Sequence, residues 1–128
     1  MNPMNAAVVE HAPKTEKLWG AEYLLVSNEK YCSKILVLNY GFQSSLHFHK
    51  IKDETFLCIS GRVYLEIVNE AGNIDTRTLS PGTPGVRLSP YVKHRFYAST
   101  LGGVVLEVGT PHSDDDVYRI EESRVRNM

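Results

Sequence analysis

Residues 41–61 read GFQSSLHFHKIKDETFLCISG. Two histidines stand one residue apart, a glutamate follows five residues after the second, and a glycine closes each end. In an extended chain alternate side chains share a face, so His47 and His49 aim their imidazoles to one side while Leu46 and Phe48 aim to the other. After the turn KIKD the chain returns as TFLCIS, and Glu54, Phe56 and Cys58 share one face of that returning strand. An inward carboxylate among apolar neighbours is costly without a partner. Imidazole and carboxylate are ordinary ligands of divalent transition metals. The pattern therefore predicts that His47, His49 and Glu54 hold one such ion, with Mn, Zn, Fe, Ni and Co all compatible.

Around this stretch the chain breaks into short runs rich in β-branched and aromatic residues, among them AEYLLVS, KILVLNY, RVYLEIV, HRFYA and GVVLEVG. Turn residues such as Ser60-Gly61, Ala71-Gly72-Asn73, Ser80-Pro81-Gly82 and Gly102-Gly103 punctuate them. Many short strands with no long helical period predict an all-β fold, an antiparallel sandwich or barrel with enough strands for a two-sheet jelly roll. The 128 residues suit one domain. We expect a loose arm over 1–13, the jelly roll over 14–112, and a polar tail or short helix over 113–128. In HRFYA, His94 shares parity with Phe96 and Ala98, which makes it the candidate fourth metal ligand. Three imidazoles and one carboxylate would leave coordination positions open, as a catalytic rather than a structural site does.

If the histidines face inward, Leu46 and Phe48 face outward and need cover, either from the N-terminal strand or from a second subunit. This favours a homodimer. Basic and acidic residues number 14 and 15 and are scattered, for a net charge of −1, so no electrostatic footprint for nucleic acid or an anionic membrane is present. A small-molecule substrate is the better match. No run approaches the roughly 20 apolar residues of a membrane span, and the N-terminal residues lack the basic start and apolar stretch of a signal peptide. A cytoplasmic location is expected, with Cys32 and Cys58 reduced and packed.

The spacing Gly41, His47-x-His49, Glu54, Gly61 resembles the first motif of the cupin superfamily, G-x5-H-x-H-x3,4-E-x6-G, without a mismatch. That resemblance implies a small jelly roll in which the two His, the Glu and a His of a second motif bind metal. The second motif, G-x5-P-x-G-x2-H-x3-N, is met in part by GVRLSPYVKHRFYA: Gly85, Pro90 and His94 are present, Gly85 to Pro90 is one residue short, Tyr91 stands near the motif glycine, and Ala98 replaces the final Asn. Residues 16–61 also resemble a narrower group, the sugar-isomerase cupins related to the C-terminal domain of type II mannose-6-phosphate isomerases and to small lyxose-isomerase-like proteins. The similarity lies in K-x-W-G at Lys17–Gly20, Y-x-x-K ending at Lys34, S-L-x-x-H ending at His49, and E-x-F-x-x-x-x-G from Glu54 to Gly61. VLEVGTPHSDDDVYRIEE is similar to their closing pattern, a Glu on the last strand followed by D-D-x-x-R.

The resemblance implies a metal-dependent sugar or sugar-phosphate isomerase working through an enediolate. Such chemistry needs a Lewis acid on the substrate oxygens and a base near the carbon acid. The catalytic candidates are Glu107 and Lys34, which match the resemblance, and Lys52, in the turn between the ligand-bearing strands. Parity places Glu107 opposite Val104, Leu106 and Val108, so it faces outward if those three fill the core. Arg62, Arg87, Arg95 and Arg119 are candidate phosphate anchors, and Trp19 is the aromatic that the resemblance recommends for a sugar ring. Fold leaves the reaction open, and a metal-dependent dioxygenase or a non-catalytic binding module would use the same ligands.

Overall fold

A computed structural model describes residues 12–127. Most of the expected N-terminal arm, residues 1–11, lies outside the described residues. The strands are β1 Lys14–Lys17, β2 Gly20–Ser27, β3 Cys32–Leu38, β4 Phe42–Gln43, β5 Leu46–Phe48, β6 Glu54–Val68, β7 Ile74–Leu79, β8 Val86–Leu88, β9 Lys93–Gly109, β10 Tyr118–Glu121 and β11 Arg124–Val125. All pair antiparallel, in a continuously hydrogen-bonded sheet that curls on itself as a barrel.

The long strands β6 and β9 make that continuity possible. They pair along their whole length, from Glu54 opposite Gly109 to Val68 opposite Lys93, with register shifts between Cys58 and Val63. Gly61 and Gly102 sit there with φ of +72° and +70°. Only glycine adopts that conformation without steric cost. A Cβ on Gly61 would also overlap the carbonyl oxygen of Gly102. At Gly41, with φ of +97°, a Cβ would meet nothing within 4 Å. Gly61→Ala is thus expected to lower the unfolding free energy by about 2–4 kcal/mol. Gly41→Ala should cost about 1 kcal/mol, its strain being partly offset by lost unfolded-state entropy. Denaturant unfolding of both variants checks the contrast, which equal losses would contradict.

Alternation defines the interior. On β3 the buried residues are Cys32, Lys34, Leu36 and Leu38. The core gathers Trp19, Leu36, Leu38, Phe56, Leu65 and Phe96 among others, and Trp19 meets Phe96 edge-to-face at 5.4 Å. Both cysteines are buried and free. Among the described residues no helix is long and apolar enough to cross a membrane.

The structure differs from expectation in two places. The segment after residue 113 is a three-residue 3-10 turn, Asp114–Asp116, followed by β10 and β11, which pair with β5 and β4. Its side chains on β10 and β11 are all exposed, so no alternation announces them. The outward Phe48 is covered from within the chain: it stacks on Tyr118 at 5.2 Å and on Tyr91 at 6.2 Å. The N-terminal strand is not what covers it.

Candidate metal centre

The three histidines come from neighbouring strands. His47 on β5 stands directly opposite His94 on β9, and His49 follows one alternation later. One ligand atom from each can be chosen so that all lie within 4.8 Å of one another. Each ring is oriented by a backbone carbonyl: Nδ1 of His47 lies 3.1 Å from the Ser45 oxygen, Nδ1 of His49 2.8 Å from that of Asp116, and Nδ1 of His94 2.9 Å from that of Val92. A carbonyl only accepts, so each Nδ1 donates and each Nε2 is left for another partner. Metal-binding imidazoles are held in this way.

Glu54 opens β6 and is buried, as parity requires. Its Oε1 lies 3.4 Å from Nε2 of His49 and 3.2 Å from Nε2 of His94. Yet Glu54 Oε1 and His94 Nε2 are both buried with no hydrogen-bond partner. Buried polar atoms are almost always satisfied, and the donor set, three imidazoles and one carboxylate, suits a divalent transition metal that would satisfy these. Burial, followed by the nearby His94 and His49 rings, lowers the His47 pKa to about 3. That ring is therefore neutral at ordinary pH, as a ligand must be. Burial raises the Glu54 carboxyl, but His49 and His94 together pull it well below the usual carboxylate range.

Beside this cluster stands a second one. Nζ of Lys52, a buried residue rather than a solvated turn lysine, lies 2.6 Å from Oε2 of Glu107 and 3.4 Å from Oε2 of Glu54. Burial lowers the Lys52 pKa, but Glu107 and then Glu54 raise it by more, so it stays an ammonium. Glu107 faces inward with Val105, while Val104 and Leu106 are half-buried and Val108 is exposed. The three apolar residues lie on the outer side, so the outward alternative for Glu107 does not hold. Lys34, Cα partner of Glu107 across β3 and β9, is buried with Nζ 3.4 Å from Oε1 of Glu22. A cavity of about 120 Å³ is lined by all these groups except His94, and by Trp19, His112 and Arg119. Of the other arginines, Arg95 is committed to Glu66 and Glu121, Arg87 to Asp53, and Arg62 is exposed, so no two of the four converge on the cavity.

No family model matches the chain. It is 30% identical over 125 residues to a D-lyxose/D-mannose isomerase of Thermosediminibacter oceani, an alignment covering 80% of this chain and 68% of that protein. The chain belongs to this isomerase's family, within the cupins. Among solved structures it is similar to oxalate decarboxylase from Bacillus subtilis, with a TM-score of 0.75 and 20% identity over 85% of this chain and 30% of that one. It is also similar to the capsular polysaccharide assembling protein CapF of Staphylococcus aureus, with a TM-score of 0.76 and 16% identity over 86% of this chain and 34% of that one. This cupin thus spans about a third of those two chains, whose likeness is one of fold.

The cupin's departure at the second motif has a structural counterpart. Tyr91 takes φ of +72°, the left-handed conformation that favours glycine. Its N–H donates to the His49 carbonyl at 2.6 Å, so the residue is tied to the backbone of the histidine cluster.

Asp116 was not singled out in the sequence. Its carboxylate accepts from the backbone N–H of Lys50 at 2.8 Å, of Ile51 at 3.2 Å and of Lys52 at 3.0 Å, and its carbonyl orients His49. One residue thus fixes both the turn that carries Lys52 and the His49 ring. The signal that could have found it is the D-D-x-x-R resemblance, in which Asp116 is the second aspartate.

Proposed function

We propose that this cupin is a metal-dependent aldose–ketose isomerase acting on a small sugar such as D-lyxose or D-mannose, with His47, His49, Glu54 and His94 holding the metal. The observation that carries the reading is the buried Lys52–Glu107 pair, which places a carboxylate and an ammonium in the same cavity as two of the imidazoles. Its membership of an isomerase family supports it.

When bound, a divalent metal supplies the Lewis acid that polarises the substrate's carbonyl and adjacent hydroxyl oxygens. Glu107 is the base that takes the carbon-bound proton and returns it to the neighbouring carbon. The Lys52 ammonium, held against Glu107, donates a hydrogen bond to the oxygen on which charge develops. Lys34 and Glu22, at the cavity wall, bind sugar hydroxyls, and Trp19 supports the apolar face of the chain or ring. Arg119 is the one arginine of the four candidates that reaches this cavity, so a phosphorylated sugar would rest on a single guanidinium.

Incubation of the metal-loaded protein with D-lyxose and D-mannose, with the corresponding ketoses followed by chromatography, tests the proposal. The expected result is metal-dependent interconversion at the same rate with and without oxygen. Oxygen consumption would place the protein with the dioxygenases, and sugar binding without turnover would make it a binding module.

A further inference from the structure

One imidazole in the cavity wall stands outside the metal cluster. His112 follows β9, and its side chain is 20% exposed. Its Nδ1 lies 3.2 Å from Nζ of Lys52 and its Nε2 2.9 Å from Oδ1 of Asp114. An ammonium has three protons to donate and nothing with which to accept. Nδ1 of His112 is therefore the acceptor, and the proton on Nε2 goes to Asp114. Burial, the largest influence, holds the His112 pKa below its ordinary value, in keeping with a neutral acceptor.

Lys52 Nζ then has three polar neighbours. Glu107 and His112 each accept a hydrogen bond from it, at 2.6 and 3.2 Å, and Glu54 stands 3.4 Å away as an ion-pair partner. Without His112 one of the two hydrogen bonds to Nζ is lost, and the ammonium is held by the carboxylates alone, with one direction fewer fixed. Asp114 is fully solvent-facing at the far end of the line, and it selects the His112 tautomer.

We propose that His112 is a positioning residue, whose Nδ1 fixes the Lys52 ammonium between Glu107 and Glu54 while Asp114 fixes the tautomer of His112. Its catalytic consequence rests on the isomerase reading; its geometric content does not. The test therefore has two arms. In the first, the Lys52 side-chain ammonium is followed by nitrogen-15 NMR, its signal assigned by its loss in Lys52→Met. A buried ammonium held by hydrogen bonds exchanges slowly with water. We expect a sharp signal in the wild type and in His112→Asn, whose Oδ1 can stand in for Nδ1, and faster exchange by about tenfold or more in His112→Leu and His112→Ala. An unchanged signal in the leucine and alanine variants overturns the proposal. In the second arm, kcat of the metal-loaded leucine variant should fall about ten- to hundredfold with KM and metal content held, and asparagine should restore most of it. Normal turnover in the leucine variant overturns the proposal as well. A wild type with no isomerase activity but the expected NMR contrast overturns the functional reading and upholds the positioning role.

Discussion

Replacing Lys52 with methionine is expected to lower kcat at least about 10²-fold and to destabilise the metal-free fold by about 3–5 kcal/mol. The stability loss follows from what the lysine neutralises. Its Nζ sits between two carboxylates, 2.6 Å from Glu107 and 3.4 Å from Glu54, and all three side chains are buried. Removing one member of a buried ion pair costs far more than the pair contributes, because the remaining charge is left without compensation. Here two negative charges would remain. The double replacement Lys52→Met with Glu107→Gln should recover a large part of the loss, and a double-mutant cycle by denaturant unfolding isolates that coupling. The effect on turnover has a separate cause. If Glu107 moves the proton and Lys52 steadies the developing charge, kcat should fall about 10²- to 10⁴-fold with metal content unchanged. A stable, active Lys52→Met protein would contradict both parts.

The second large effect is expected at Asp116, which no assay of the cavity would single out. Asp116→Ala leaves three backbone N–H groups of the 50–52 turn without their acceptor. The Lys52 N–H is buried, and an unsatisfied buried donor costs about 1–3 kcal/mol. The variant should lose about 2–4 kcal/mol of stability, and its affinity for metal should fall about 10-fold as the backbone at residue 116, no longer tied to the 50–52 turn by its carboxylate, lets the carbonyl that orients His49 shift. The same residue sets an acid sensitivity. Burial raises the Asp116 carboxyl, but the three backbone N–H groups hold it below its ordinary 3.8. A depressed folded-state value contributes stability that is present above the unfolded value and is lost as pH falls through the folded one. The wild type should therefore lose stability below about pH 4, and Asp116→Asn should show a shallower loss over that range.

Period-2 parity made the inner half of the site legible. Glu54 shares its face with Phe56 and Cys58, and His94 with Phe96 and Ala98, so a polar side chain at that inward position stands out. The same reasoning left Glu107 undecided for a physical reason. β9 is apolar on both sides near its end, with Val105 inward and Val104, Leu106 and Val108 outward. A strand without polar alternation carries no label for its faces. The burial of Lys52, itself a candidate from the sequence, and the role of Asp116 were hidden differently. Both lie in turns, where side-chain direction follows the local backbone and not a period, and their partners are more than 50 residues away. The acidic run around Asp116 reads as a solvated turn, and the strands β10 and β11 that follow bury no side chain of their own. The barrel itself was legible because short β-rich runs and glycine turns leave few alternatives. Its closure through one continuous sheet was not, since it depends on bulges in β6 near Gly61.

The central claim is that three imidazoles and Glu54 form a metal site, and metal content tests it most directly. Wild type, His47→Ala, His49→Ala and His94→Ala would be purified together, dialysed against the same trace of mixed divalent metals and measured by elemental analysis. The account predicts about one equivalent of a divalent transition metal per chain in the wild type, with its loss in each variant while the circular dichroism of the fold persists. Equal, stoichiometric metal in all four proteins would contradict it.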